Sequence, residues 1–316
     1  MSAPLRIIFM GTAELSCASL RALAERSQFQ LKAVVTQPDR PKGRDLRLQP
    51  SPVKSEAVRA GFPVLQPERA RAAEFIEQVR GLVPDLIVVV AYGQILPQTL
   101  LDVPRFGCLN VHTSLLPKYR GAAPIQWAIL NGDSLTGVTI MKMNAGLDTG
   151  DIVAQERTEI RAEDDAITLH ERLAQMGADL VVRTIPDYVK GKLVPEPQHA
   201  AAASYAPKIR KEDGAIDWRQ PATVIWNRVR GLVPWPVAFA HFAGDTKSSL
   251  VRIWQAEVSD RAGPPGEILE ASKGELVVGC GADSLRILQL QLEGGRRMSA
   301  EQFLAGHKME PGKRLQ

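Results

Sequence analysis

An α/β architecture with a parallel sheet in its first part and a small β-barrel in its second is predicted by three features of this sequence. Apolar strand-length runs alternate with helical periodicity through residues 1–190, a proline-punctuated stretch follows at 191–207, and short β-like segments between Gly, Pro and charged turns fill 208–316. Strands that alternate with helices form a parallel sheet covered on both faces, because parallel neighbours need crossover connections. Short strands at regular spacing suit a barrel.

Leu5 to Met10 is an apolar run closed by Gly11-Thr12, the pattern of a buried strand turning into a helix. Ser16 to Ala24 has helical spacing, Leu31 to Val35 reads as a second strand, and Glu68 to Val79 as an amphipathic helix ahead of the strand Asp85 to Ala91. A short strand at Leu109 to His112, a helix at Ala122 to Asn131, strands at Gly137 to Met143 and Asp151 to Ile160, and a helix at Ile167 to Lys190 complete the first domain. Pro186 is expected to kink that last helix. Residues 191–207 read as a linker. In the second domain one helix is expected at Ala222 to Val229, with strands at Val237 to Phe242, Val251 to Glu257, Leu276 to Val278 and Leu285 to Leu292.

A chain of 316 residues is long enough for two cores. Its apolar runs are far shorter than the roughly 20 residues that span a bilayer, and no signal-peptide pattern opens the sequence, so the cytoplasm is the expected compartment. Cys17, Cys108 and Cys280 are odd in number and widely spaced, which argues against a disulfide framework or a zinc site; they read as small buried residues. The formal net charge of +4 permits a polyanionic partner without demanding one. From Pro38 to Lys54 the chain forms a basic, proline-rich loop in which Arg40, Lys42, Arg44, Arg47 and Lys54 outweigh Asp39 and Asp45.

The densest chemistry lies between Gly107 and Pro124. Asn110 and His112 are two apart on a predicted strand, so both face one side at its C-terminal end, where open α/β sheets place ligands. An amide donor beside an imidazole suits a developing oxyanion. A carboxylate to complete the set comes from the loop Asn144 to Asp151, either as Asp148 or as Asp151; spacing does not choose between them, and an Asx turn would account for either.

The run Asn110-Val-His112-Thr-Ser114-Leu-Leu-Pro117-Lys-Tyr-Arg120-Gly-Ala-Ala-Pro124 resembles the signature of the folate-dependent formyltransferases. Gln37 to Pro41, Pro50 to Lys54, Ala91 to Pro97, Gly146 to Gly150, Tyr205 to Ile209 and Pro234 to Pro236 extend the resemblance over nearly the whole chain. It implies a Rossmann-like catalytic domain over 1–190, a linker at 191–207 and an oligonucleotide-binding (OB-like) barrel over 208–316. It further implies Asn110, His112 and Asp148 as catalytic residues, which selects Asp148 over Asp151. The co-substrate implied is 10-formyltetrahydrofolate, contacted by Ser114, Leu115, Leu116 and Pro117, with a pterin pocket at Gln94, Leu96 and the backbone of Asn144, Ala145, Gly146 and Leu147. The implied acceptor is the amine of methionyl initiator tRNA, with Arg44 in the place of the family's tRNA-contacting arginine; by charge, Arg40, Lys42 and Arg47 of the basic loop and Lys208 and Arg210 of the second domain are expected to add phosphate contacts, and no metal and a monomeric chain are expected.

Two departures stand out. Ala13 and Leu15 replace the family's proline and phenylalanine after Gly11-Thr12, and Asp45 interrupts the basic loop beside Arg44. Rival functions fare worse. A nicotinamide enzyme lacks its Gly-x-Gly-x-x-Gly cradle, since the first turn reads Gly11-Thr-Ala-Glu-Leu-Ser16. Ser51-Pro-Val-Lys54 fits a Ser-x-x-Lys nucleophile pair only formally. Formyltransferases acting on glycinamide ribonucleotide or an amino sugar nucleotide share the Asn, His and Asp set, and differ in the basic loop and the second domain.

Overall fold

The computed structural model describes residues 3–42, 47–243 and 248–316. It opens with β1 (Leu5–Gly11), α1 (Leu15–Ala24), β2 (Phe29–Val35), the short pair β3 (Arg40–Lys42) and β4 (Arg47–Gln49), α2 (Pro52–Arg59) and β5 (Val64–Leu65). Then come α3 (Ala73–Gly81), β6 (Leu86–Val90), α4 (Gln98–Leu101), β7 (Cys108–His112), β8 (Arg120–Gly121), α5 (Pro124–Leu130), β9 (Leu135–Lys142), β10 (Asp151–Glu159) and α6 (Ala166–Val189). The remainder holds β11 (Tyr205–Ala206), α7 (Ala222–Gly231), β12 (Ala238–Ala243), β13 (Ser248–Ser259), β14 (Ile268–Ser272), β15 (Glu275–Gly279), β16 (Ser284–Leu292), β17 (Met298–Ser299) and α8 (Ala300–Gly306).

Two compact units emerge. The first takes Met1–Pro124, Leu135–Glu159 and His170–Ala206; the second takes Ile125–Ser134, Ile160–Leu169 and Pro207–Gln316. The first contains a seven-stranded sheet in the order β10-β9-β7-β6-β1-β2-β5. Strands β5, β2, β1, β6 and β7 run parallel, as the alternation predicts, while β9 is antiparallel to β7 and β10 to β9. All five residues of β6 and of β7 are buried, which explains why both read as unbroken apolar or mixed runs without surface alternation. Burial also pushes the Cys17 thiol up to about 11 and those of Cys108 and Cys280 to about 12, consistent with small core residues.

The structure adds detail that the sequence pattern does not carry. Residues 125–134 and 160–169, which lie within the expected first domain, group with the second compact unit. The indole Nε1 of Trp127 donates to the Pro207 carbonyl at 2.8 Å, and Arg230 Nη1 donates to the carbonyls of Arg161 and Asp164 at 3.0 and 3.1 Å. The expected linker is also held, because Ile152 and Glu196 exchange backbone hydrogen bonds at 2.8 Å and β11 pairs with β8. Helix α3 starts later than its pattern suggests: the side-chain amide of Gln94 ties up the Ala70 N–H and the Glu68 carbonyl, fixing that stretch as a turn. The basic loop contains the hairpin β3–β4 and ends at α2, whose cap is Ser51: its hydroxyl accepts from the Lys54 N–H at 3.0 Å. Ser51 is therefore a helix cap, with Pro52 in the favoured first position.

In the second unit the antiparallel order is β12-β13-β16-β15-β14, with β17 on β16. Trp218, Ile225, Val229, Ile253, Ile287, Leu290 and Phe303 share its core. Residues Lys313–Gln316 join the two edges of that sheet. On one side Ile268 N–H donates to the Lys313 carbonyl and Leu315 N–H to the Gly266 carbonyl, both at 2.8 Å. On the other, His241 and Gln316 exchange hydrogen bonds at 2.6 and 2.7 Å. The contact is so close that a side chain at Gly266 (φ +77°) would meet the Leu315 carbonyl at 2.5 Å. Closure of this kind removes exposed edges. Leu315 is 2 % exposed within the core it seals. Leu315→Ala is expected to lower unfolding free energy by about 2–4 kcal/mol in a denaturant titration; a change below about 0.5 kcal/mol would show that the closing strand carries no packing role.

Candidate active site

Strand β7 brings its last residues into the site because β6 and β9 pair with it on both sides: Asn110 lies opposite Val89 and Met141, and His112 opposite Thr139. Asn110 is 9 % exposed and His112 6 %, so their polar atoms are largely removed from water. His112 Nε2 lies 2.9 Å from the Tyr119 carbonyl. A carbonyl only accepts, so Nε2 carries the proton and Nδ1 is the bare nitrogen of the neutral ring. Asp148 Oδ2 lies 3.8 Å from that Nδ1. A proton arriving at Nδ1 would thus sit between an imidazole and a carboxylate.

Asp148 is held from several directions. Its Oδ2 accepts from the Gly121 N–H at 2.8 Å and its Oδ1 from Asn110 Nδ2 at 3.4 Å. Its backbone is left-handed (φ +50°), a conformation Asp tolerates better than most residues. The Gln198 amide donates to the carbonyls of Asp148 and Gly150 at 2.8 and 2.7 Å. Gly121 has φ +120° and a Cβ there would approach the Ala206 carbonyl to 2.7 Å, so only glycine presents this N–H to the carboxylate. Asp151 instead begins β10, opposite Lys142. Of the two acids left open by spacing, Asp148 is the one gathered with Asn110 and His112.

The expected folate residues are placed in three different ways. Ser114 is fully buried; its hydroxyl donates to the Lys118 carbonyl at 2.6 Å and its own carbonyl accepts from Thr139 Oγ1 at 2.7 Å. Leu116 is buried, its N–H donating to Thr139 Oγ1 and its carbonyl accepting from Gln155. Leu115 and Pro117 are half-buried. The segment is a braced turn, and its side-chain polar groups are already engaged. Gln94 spends its amide on the 68–70 backbone, and Leu96 packs into the core. Asn144, Ala145, Gly146 and Leu147 form an exposed turn in which Asn144 Oδ1 accepts from the Gly146 N–H and the Thr149 hydroxyl at 3.0 and 2.8 Å. Ile95, 82 % exposed, and Leu147 leave large apolar side chains in solvent on the loops after β6 and β9. Such surfaces suit burial under the flat ring of a pterin.

Among the expected tRNA contacts, Arg40, Lys42 and Arg47 lie on the β3–β4 hairpin, with Lys42 opposite Arg47; Arg44 lies outside the described residues. Arg40 reaches Gln37 Oε1 at 3.2 Å. Lys54 is less available than the sequence suggests. Its ammonium pairs with Asp39 at 2.7 Å, and that contact, with Gln66, holds the Asp39 carboxyl below the usual carboxylate range. Lys208 and Arg210 are exposed on the second unit. Among the described residues no group of three or more His, Cys, Asp or Glu is arranged to hold a metal ion, and no helix is long and apolar enough to cross a membrane.

Sequence reasoning missed the Tyr119 carbonyl, the Gly121 N–H, Gln155 and Gln198. Backbone groups carry no side-chain signature, and Gln198 lies 50 residues from Asp148 in a stretch without periodicity. Its only signal is the proline-flanked Pro195 to Gln198 itself, which reads as linker.

Residues 5–185 match the model described as formyl transferase, and residues 208–308 that of the formyl transferase C-terminal domain. A methionyl-tRNA formyltransferase of Citrifermentans bemidjiense is 51% identical over 98% of this chain and 95% of its own length. That of Geobacter metallireducens is 51% identical over 99% of both. Among solved structures, an N-formyltransferase from Helicobacter canadensis, in complex with folinic acid and dTDP-3-aminofucose, superposes with a TM-score of 0.64 at 18% identity, covering 90% of this chain and 98% of that one. HypX from Aquifex aeolicus in complex with tetrahydrofolic acid gives 0.63 at 18% identity, over 98% of this chain and 49% of its own. These two structures speak for the fold. With both domain models matched and half of all positions identical along its length, the chain belongs to the formyl transferase family.

Proposed function

We propose that this chain transfers the formyl group of 10-formyltetrahydrofolate to the free amine of methionyl initiator tRNA, giving the N-formylmethionyl form for translation initiation, as a monomer in the cytoplasm. The convergence of Asn110, His112 and Asp148 at the buried end of β7 carries the chemical part of this reading. The acceptor is supported by relatives that share half of this chain's residues and bear the name methionyl-tRNA formyltransferase. The co-substrate supplies an electrophilic formyl carbon, and the exposed Ile95 and Leu147 offer apolar cover for its ring system.

Each residue then has a defined task. The Asn110 amide and a protonated His112 Nδ1 hold the negative charge that develops on the formyl oxygen as the amine nitrogen bonds to the formyl carbon. Tyr119 keeps the other proton on Nε2, so that Nδ1 is the site of exchange. Asp148, facing Nδ1, stabilises the imidazolium and, with a water, relays the amine proton to the folate nitrogen as the carbon–nitrogen bond to it breaks. A free methionyl amine, with a reference pKa of about 7.7–8.0, must lose a proton before it attacks. This route calls for no metal.

On the acceptor side, Arg44, Arg40, Lys42 and Arg47 of the basic segment and Lys208 and Arg210 of the second unit supply phosphate contacts, which are strongly salt-dependent.

The acceptor is tested by offering 10-formyltetrahydrofolate with methionylated initiator tRNA, methionylated elongator tRNA, glycinamide ribonucleotide or an amino sugar nucleotide, and following the formyl label. Label on the initiator tRNA is expected; label on the ribonucleotide or sugar nucleotide alone would overturn the acceptor. Asn110→Ala is expected to raise the barrier by about 3 kcal/mol, seen as a fall in kcat with folate KM little changed. Turnover near that of the wild type would remove Asn110 from the reaction. Arg44→Ala should weaken tRNA use and flatten its salt dependence while folate binding stays intact; equal loss of both would contradict a phosphate contact.

A further inference from the structure

Arg120 on β8 is 7 % exposed, an uncommon degree of burial for a guanidinium, and it spends two donors on one neutral atom. Its Nε and Nη2 reach Gln198 Oε1 at 3.0 and 2.7 Å. The other end of the same amide donates to the carbonyls of Asp148 at 2.8 Å and Gly150 at 2.7 Å. All four contacts fix one orientation of the amide. Turned over, it would set its oxygen against two carbonyls and its NH2 against the guanidinium.

The residue after Arg120 completes the arrangement. Gly121 N–H donates to Asp148 Oδ2 at 2.8 Å, so β8 holds Asp148 at both ends: the carboxylate directly, the backbone carbonyl through Gln198. Between those ends Asp148 is left-handed, with Oδ2 facing His112 Nδ1 at 3.8 Å. Left-handed backbone persists where surrounding contacts over-determine it. We propose that Gln198, oriented by Arg120, is a positioning residue that sets the Asp148 carboxylate against His112 Nδ1 for the proton transfer. It touches neither the formyl group nor the amine on this reading, which rests on the formyl-transfer function above.

Two variants of the full chain separate positioning from folding. Gln198→Glu keeps an acceptor for Arg120 and so keeps the buried guanidinium partnered, but loses both donors to the loop; Gln198→Ala loses everything. Formyl transfer from 10-formyltetrahydrofolate to methionylated initiator tRNA is measured across pH, with thermal unfolding alongside. For Gln198→Glu the expected result is a melting temperature near that of the wild type, and kcat lower by roughly tenfold to hundredfold. KM values for both substrates should stay within about twofold, and the pH profile of kcat should be displaced. Gln198→Ala should lose at least as much kcat. Wild-type kcat and pH profile in Gln198→Glu would overturn the proposal, as would a loss of activity that only follows the folded fraction with an unmoved profile. A wild-type chain that formylates no acceptor fails differently: it overturns the functional reading, and this one with it.

Discussion

Asn110 and His112 stand at the end of a strand with no solvent face, and the surrounding structure follows from what their burial demands. A buried polar group left without a partner costs about 1–3 kcal/mol, so each must be met from within the protein. The imidazole claims the Tyr119 carbonyl, which requires the chain after β7 to turn back on itself. That turn is braced by Ser114, Thr139 and Gln155, three polar side chains that bond to its backbone or to one another. The strand next in line, β8, then presents its Gly121 N–H to Asp148, which closes the set against Asn110 and His112. Packing of β7 between β6 and β9 is thus the condition for every later contact at the site.

The two-residue period of β7 was enough to set Asn110 and His112 side by side, because a strand's geometry is local and repeats whatever surrounds it. Asp148 was not accessible that way. Its place depends on a left-handed residue and on hydrogen bonds from residues 27 and 50 positions away, and only the family likeness picked it over Asp151. The same distinction runs through the fold. Strands with strong apolar runs, such as β1 and β6, stand close to where their patterns put them, while α3 loses its first turn to a distant glutamine. Helix α8 has a capping box, Ser299 with Gln302, but only a short amphipathic stretch follows it, too little for periodicity to reveal. Trp218, read as core, is core; Trp226 is only half-buried, with Arg230 over its ring at 4.2 Å.

Charge follows a similar logic. Counting basic residues between Pro38 and Lys54 overstates what faces solvent, because Lys54 is committed to Asp39 and helps anchor the base of the hairpin. Of the remaining basic residues, Arg40 on β3 is exposed. A side chain on a paired backbone loses less entropy in any contact than one on an open loop.

The segment Lys313–Gln316 lies after every strand it joins, and that order has a consequence for how the molecule is made. While a ribosome is still extending the chain, β12 and β14 can form and Phe239 can pair with the earlier Ala215–Ile216 stretch, yet the backbone groups of His241 on one edge and of Gly266 and Ile268 on the other wait for Lys313–Gln316 to emerge. Until that segment docks, the second unit offers incompletely paired sheet edges to any neighbouring chain. The window for aggregation, or for a chaperone, stays open until this closing segment reaches the sheet.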